Sequence, residues 1–148
     1  MLQFLGRAAG RSPWLYRINT GSCNGCDVEL VTTALIPRFD IERLGCKYCG
    51  SPKHADIVLV TGLMTARLKD KVLKLYAEVP DPKVTVAVGI CPTSGCVYSG
   101  SYAVDGPVDG YLPIDINILG CPPRPQAIIA GVADAIELWR ERVRAWAS

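Results

Sequence analysis

The sequence predicts an α/β fold: a single domain built on an open, mostly parallel sheet with helices on both faces. Two continuous apolar runs, Asp56–Gly62 and Val84–Ile90, show no polar alternation, as expected of strands buried on both sides. Segments of helical periodicity alternate with the strand segments, the pattern of parallel α/β sheets. The chain has 148 residues and 49% hydrophobic content, with no internal repeat and no linker, so one domain with a real core follows.

Taken in order, residues 1–13 read as an irregular N-terminal arm closed by Ser12-Pro13. Trp14–Asn19 is a short strand, followed by a turn over Thr20–Gly25 in which Gly25 supplies the freedom to bend. Cys26–Ile36 reads as a helix that Pro37 stops. Arg38–Leu44 is a helical turn, and Cys46–Cys49 a short edge strand. After strand 56–62, Leu63–Glu78 reads as a helix with Met64, Leu68, Val72, Leu75 and Tyr76 on one face, ended by Pro80-Asp81-Pro82. Residues 97–113 hold many Gly, Pro, Asp and Ser and little periodicity, an irregular loop of a length uncommon without a function. Ile114–Leu119 is the last strand. Beyond Pro122-Pro123 a helix runs to about Trp146, its core stripe being Ile129, Val132, Ile136, Trp139, Val143 and Trp146.

Composition narrows the function. A net charge of +2 and the lack of a basic cluster with interleaved aromatics give no case for a nucleic-acid partner. No apolar run approaches the roughly 18 residues that span a bilayer, and MLQFLGRAAGRSPW lacks the apolar core of a signal peptide. A soluble, cytoplasmic chain is expected. Seven cysteines, an odd number without an export signal, then argue for metal or redox chemistry over a disulfide framework.

The elements make the sheet flavodoxin-like, a class that binds ligands beyond the carboxyl ends of its strands. Cys23 and Cys26 follow strand 14–19, Cys91 follows strand 84–90, and Cys121 follows strand 114–119. Three separate loops therefore carry cysteines to one end of the sheet. Four thiolates, two from a short CxxC turn and two from distant segments, are what a cubane iron–sulfur cluster needs. The helix opening at Cys26 directs free N–H groups at its negative charge. Cys23-x2-Cys26 and Cys46-x2-Cys49 also match the spacing of a four-cysteine zinc site, which would make the chain a zinc-stabilised structural domain. A phosphate cradle at TGSCNG has no Walker or GxGxxG pattern behind it. His54, the one histidine, reads as a loop residue.

CNGCDVEL, SPKHADIVLVTG, PKVTVAVGIC and GCPPRP, spanning about Ser12 to Ala130, together resemble the small subunit of energy-converting, membrane-bound (group 4) nickel–iron hydrogenases. The homologous 20 kDa-type subunit of respiratory complex I belongs to the same family. It carries adjacent cysteines where this chain has Cys23-Asn24-Gly25-Cys26, so the spacing favours the hydrogenase branch. The resemblance implies that Cys23, Cys26, Cys91 and Cys121 ligate one proximal [4Fe-4S] cluster. It further implies an electron-transfer subunit of an oxidoreductase, without catalysis of its own. Its partners would be a catalytic large subunit, a ferredoxin-like subunit with two [4Fe-4S] clusters, and membrane anchor subunits of an ion-pumping complex. The chain would then sit peripherally on the cytoplasmic side of the membrane. A membrane-bound sulfane-sulfur reductase or a complex I-like quinone reductase would use it in the same way. Glu29, in CDVE, matches an acidic family position near the large-subunit interface, where a proton relay and a backbone hydrogen bond are its two readings. Gly95-Cys96 stands where the family commonly has Gly-Gly, and no ligand role is expected of Cys46, Cys49 or Cys96.

Overall fold

The computed structural model describes residues 12–147; residues 1–11 of the expected arm lie outside them. A five-stranded sheet is formed by β1 (Trp14–Gly21), β2 (Lys47–Tyr48), β3 (Ile57–Gly62), β5 (Val84–Val88) and β7 (Ile116–Ile118). Its order is β2-β1-β3-β5-β7, and every pairing is parallel. Numbering only these five strands along the chain gives 2-1-3-4-5, the flavodoxin-like order. The expected fold class is the one observed.

Side-chain alternation along the strands divides the core in two. Leu15, Ile57, Leu59, Val84, Val86 and Val88 face one way, against Leu30 of α1 (Gly25–Leu35) and Ile128, Val132, Ile136 and Trp139 of α4 (Pro125–Ala147). Ile18, Val58 and Val60 face the other, against Val72 of α2 (Lys69–Ala77) together with Val79, Val108 and Leu112. Both faces are thus covered, which is why all six residues of β3 are buried. Burying each such aliphatic side chain contributes about 1.5–3 kcal/mol. At the amino end of the sheet, Trp139 Nε1 donates to Pro82 O at 3.1 Å, and the Arg142 guanidinium pairs with Asp115. Asp115 Oδ2 also accepts from Thr85 N, so α4 is held to β5 at that end.

Three expectations need correction. The helix read over Leu63–Glu78 starts only at Lys69. Met64–Thr65 instead forms β4, antiparallel to β6 (Val104–Gly106), with Met64 opposite Gly106 and Thr65 opposite Val104. Met64 lies at helical spacing from Leu68, but it is buried against the second core face, and the backbone here pairs with a strand 40 residues away. For the same reason 97–113 is no free loop. It carries β6 and a short turn over Val108–Gly110 that inserts Val108 and Leu112 into the core. Trp146 is exposed and lies outside the stripe of α4, where Ile128 and Ala135 pack instead. Smaller shifts extend β1 to Gly21 and trim the last strand to Ile116–Ile118.

Candidate metal centre

The first cysteine pair sits in a tightly built turn. Asn19 Oδ1 accepts from the N–H groups of Gly21 and Ser22, both at 2.9 Å, and bends the chain out of β1. Ser22 Oγ accepts from Asn24 N at 3.0 Å, and Val28 N donates to Asn24 O at 2.9 Å to open α1. The left-handed residue of the turn is Asn24 (φ 70°), not Gly25 as expected. Asparagine tolerates this region because its short polar side chain competes well there. A methyl on Gly25 would lie 3.7 Å from Cys23 Sγ and 3.9 Å from Pro122, so the turns after β1 and β7 are in contact.

Behind this turn stands a carboxylate that sequence reasoning missed. Asp27 is buried in the first turn of α1 and accepts from Arg17 Nη1 at 2.8 Å, Asn19 Nδ2 at 3.1 Å and Thr61 Oγ1 at 2.8 Å. The network ties the start of α1 to β1 and β3. Its partners lie 8 to 34 residues away, which no local pattern reveals.

Cys91 opens the short helix α3 (Cys91–Ser94), and Cys121 follows β7. Two hydrogen bonds fix these loops to each other: Gly89 N donates to Ile118 O at 2.8 Å and Ile90 N to Gly120 O at 3.0 Å. Gly89 has φ +96°, and a methyl there would lie 2.6 Å from Cys26 Sγ.

The structure therefore brings together the four predicted cysteines at one rim. Cys26 is buried, and its thiol is pushed up to about 11, first by burial and then by Cys91, Cys23, Asp27 and Cys121 in that order. The Cys91 thiol is likewise held above the usual thiol range, by burial and then by Cys96, Cys121 and Cys23. Cys26 thus feels the other three thiols, and Cys91 feels Cys121, Cys23 and Cys96. Cys23 and Cys121 are exposed, so the rim faces solvent. Among the described residues, no group of three His, Cys, Asp or Glu side chains closes on a point suited to one metal ion. The donors are all thiols, the soft set that takes Zn, Cu(I) or iron–sulfur clusters. They reach the rim from three segments, the turns after β1, β5 and β7.

Cys46 and Cys49 lie elsewhere. They flank β2, which pairs with the first residues of β1 (Trp14 opposite Lys47), roughly 20 Å along the strand from the Cys23 end. Cys46 packs into the first core face and Cys49 against the second, so the two thiols point to opposite sides of the sheet. Cys46 Sγ donates to Ile41 O and Cys49 Sγ to Ser51 O, both at 3.3 Å. The zinc site drawn from Cys23, Cys26, Cys46 and Cys49 does not assemble. Glu29 is half-buried on α1, and among the described residues its carboxylate has no hydrogen-bond or ion-pair partner.

The profile of the NADH ubiquinone oxidoreductase 20 Kd subunit family matches residues 23–135, from the first rim cysteine to the middle of α4. The chain belongs to that family. Within it, the chain is 51% identical over 128 residues to the probable membrane-bound hydrogenase subunit mbhJ of Pyrococcus furiosus, covering 86% of this chain and 76% of that one. It is 42% identical over 135 residues to formate hydrogenlyase subunit 7 of Escherichia coli, covering 91% of this chain and 52% of that one. A chain of the membrane-bound sulfane sulfur reductase, an archaeal respiratory membrane complex, superposes with a TM-score of 0.77 at 31% identity, covering 95% and 76%. Relatives of this 20 Kd-type chain are thus subunits of multisubunit oxidoreductase complexes. Among the described residues, no helix of the chain is long and apolar enough to cross a membrane.

Proposed function

We propose that the chain is one [4Fe-4S]-binding domain, held by Cys23, Cys26, Cys91 and Cys121. It serves as the electron relay between a ferredoxin-like subunit and the catalytic large subunit of a membrane-bound, ion-pumping hydrogenase. The observation that carries this reading is the convergence of four thiols from three sheet-end loops at one exposed rim. When bound, the cluster supplies one-electron transfer at a potential set by its surroundings. The chain's own residues do the rest. The N-terminus of α1 aims free N–H groups at the rim, and Asp27 locks that helix end to the sheet. Burial of Cys26 keeps water from one side.

Beside the cysteines, Val28, Val97, Tyr98 and Leu119 leave large apolar side chains exposed. Such a set around a redox centre fits a docked partner that excludes water, here the large subunit. Membrane anchor subunits would hold the assembly on the cytoplasmic side, with this chain peripheral. The relative in a sulfane sulfur reductase makes the same relay in that enzyme the second reading, since the substrate would be chosen on the large subunit.

Anaerobic metal analysis tests the proposal: about four iron and four sulfide per chain are expected, with visible absorption. One zinc and no colour would overturn it. Nickel in the co-purified large subunit separates the hydrogenase from the reductase reading.

A further inference from the structure

We infer, on the ligand assignment proposed above, that Asn19 is a positioning residue for Cys23. Its side-chain amide passes the hold of Asp27 on to the turn that carries this thiol. Cys23 is exposed, so packing does not fix its sulfur, whereas Cys26 is buried. The backbone between the end of β1 and the start of α1 must therefore set where Cys23 stands.

Asn19 is where that backbone leaves the sheet. It lies opposite Thr61 in the pairing of β1 with β3, and the next pair is Gly21 with Gly62, so Thr20 is an extra residue and the strand bulges. A bulge bends the strand and disrupts the ladder locally. Asn19 Oδ1 takes up two N–H groups beyond it, accepting from Gly21 N and Ser22 N, both at 2.9 Å. At its other end, Asn19 Nδ2 donates to Asp27 Oδ2 at 3.1 Å. The turn also lies against the exit of β3, where a methyl on Gly62 would fall 2.3 Å from Ser22 N. It is thus gripped between Asn19 and Gly62.

An amide is the side chain that fits both of its neighbours. Backbone N–H groups only donate and a carboxylate paired with arginine only accepts, so the group between them must accept at one end and donate at the other. Aspartate at 19 would keep the acceptor but set two carboxylates against each other, and alanine would supply neither contact. Asp27 is itself held by Arg17 Nη1 and Thr61 Oγ1, at 2.8 Å each. The amide is consequently fixed in one orientation. The end of β1, the Cys23 turn and the start of α1 are joined through it.

The test measures iron release to a chelator from the anaerobically purified complex, alongside thermal unfolding. Asn19→Ala should release iron about tenfold faster, at the low end of what residues supporting metal ligands contribute. Ile18→Val is the control, since it trims a buried side chain of the same strand on the second core face, away from the turn. Rates are compared at temperatures equally far below each unfolding midpoint. Equal release from the two variants there would show a merely structural role and overturn the inference, as would an unaltered rate in Asn19→Ala. Exchanging the two side chains, Asn19→Asp with Asp27→Asn, supplies a rescue. The carboxylate then at 19 accepts from the turn and from the amide at 27, whose oxygen still accepts from Arg17 and Thr61. Each single change should speed release, and the exchange should bring it back towards the unaltered rate. An exchange no slower than the single variants would overturn the coupling, whether or not Asn19→Ala assembles. Absence of iron from the unaltered complex would instead remove the ligand assignment beneath it.

Discussion

The Cα of Gly89 faces the Sγ of Cys26 so closely that a methyl group on it would lie 2.6 Å from the sulfur. The exit of β5 is therefore moulded around a thiol borne by α1, on a segment more than 60 residues earlier. With φ at +96°, any other residue at 89 also meets backbone strain. Gly89→Ala is expected to destabilise the chain by about 1–3 kcal/mol, the usual range for overpacking. It should also lower bound iron by displacing Cys26. Iron analysis and thermal unfolding read the two effects, and full iron at unchanged stability would remove Gly89 from the site.

The seven cysteines divide by position. Cys91→Ala or Cys121→Ala should abolish cluster binding, because each removes one of the four proposed ligands. Cys46→Ala and Cys49→Ala should retain iron and sulfide, since their thiols lie at the far end of the sheet and on opposite faces. Cys46 is fully buried, so its loss should still cost about 1 kcal/mol through the small cavity left behind. If iron content followed Cys46 or Cys49 instead, the ligand assignment would fall.

The buried strands were legible because β3 and β5 each form an unbroken apolar run, and their parallel pairing was legible from alternation with helices. The rim was legible because loops after parallel strands share one end of the sheet, whatever their side chains do. What failed was local periodicity with a non-local partner. Met64 keeps helical spacing with Leu68 and Val72, yet it pairs with Gly106, and nothing near it announces that strand. Val108 and Leu112 are core residues hidden in a Gly- and Pro-rich stretch. Spacing alone also favoured a Cys23–Cys49 zinc site, because two CxxC pairs look alike until the pleat puts Cys46 and Cys49 on opposite faces. Asp27 and Gly89 act only through residues distant in sequence, so their roles appear first in three dimensions.

Asp56 gives the chain an inverted acid response at the opposite end of the sheet. Burial holds its carboxyl above the ordinary value of 3.8, and the Trp14 N–H that it accepts at 2.8 Å only partly offsets this. The folded chain therefore binds this proton more tightly than the unfolded one. Stability from Asp56 is fully present below the ordinary carboxylate value and is lost as pH rises through the raised folded value. Asp56→Asn keeps an acceptor for Trp14 and removes the titration. Denaturant midpoints measured across the weakly acidic range should show the variant gaining on the unaltered protein as pH rises. A constant difference between the two would show that burial does not perturb this group.

Asp27 couples the stability of the fold to the behaviour of the centre. Its side chain is 6% exposed and serves three donors, of which Thr61 is wholly buried and Arg17 is 43% exposed. Asp27→Asn keeps the shape but turns one acceptor into a donor facing donors. The Arg17 end can rehydrate, whereas Thr61 cannot, so the loss should fall near 1–3 kcal/mol, below that of a fully enclosed ion pair. Asp27→Ala should cost somewhat more, because it empties the site as well. The charge effect runs the other way. Removing a carboxylate next to Cys26 leaves the Arg17 cation unopposed, and a positive charge nearby favours the reduced, more negative state. The midpoint of the centre in Asp27→Asn should therefore rise as stability falls. A merely structural role for Asp27 would lower stability and leave the midpoint where it was, and the redox titration distinguishes the two.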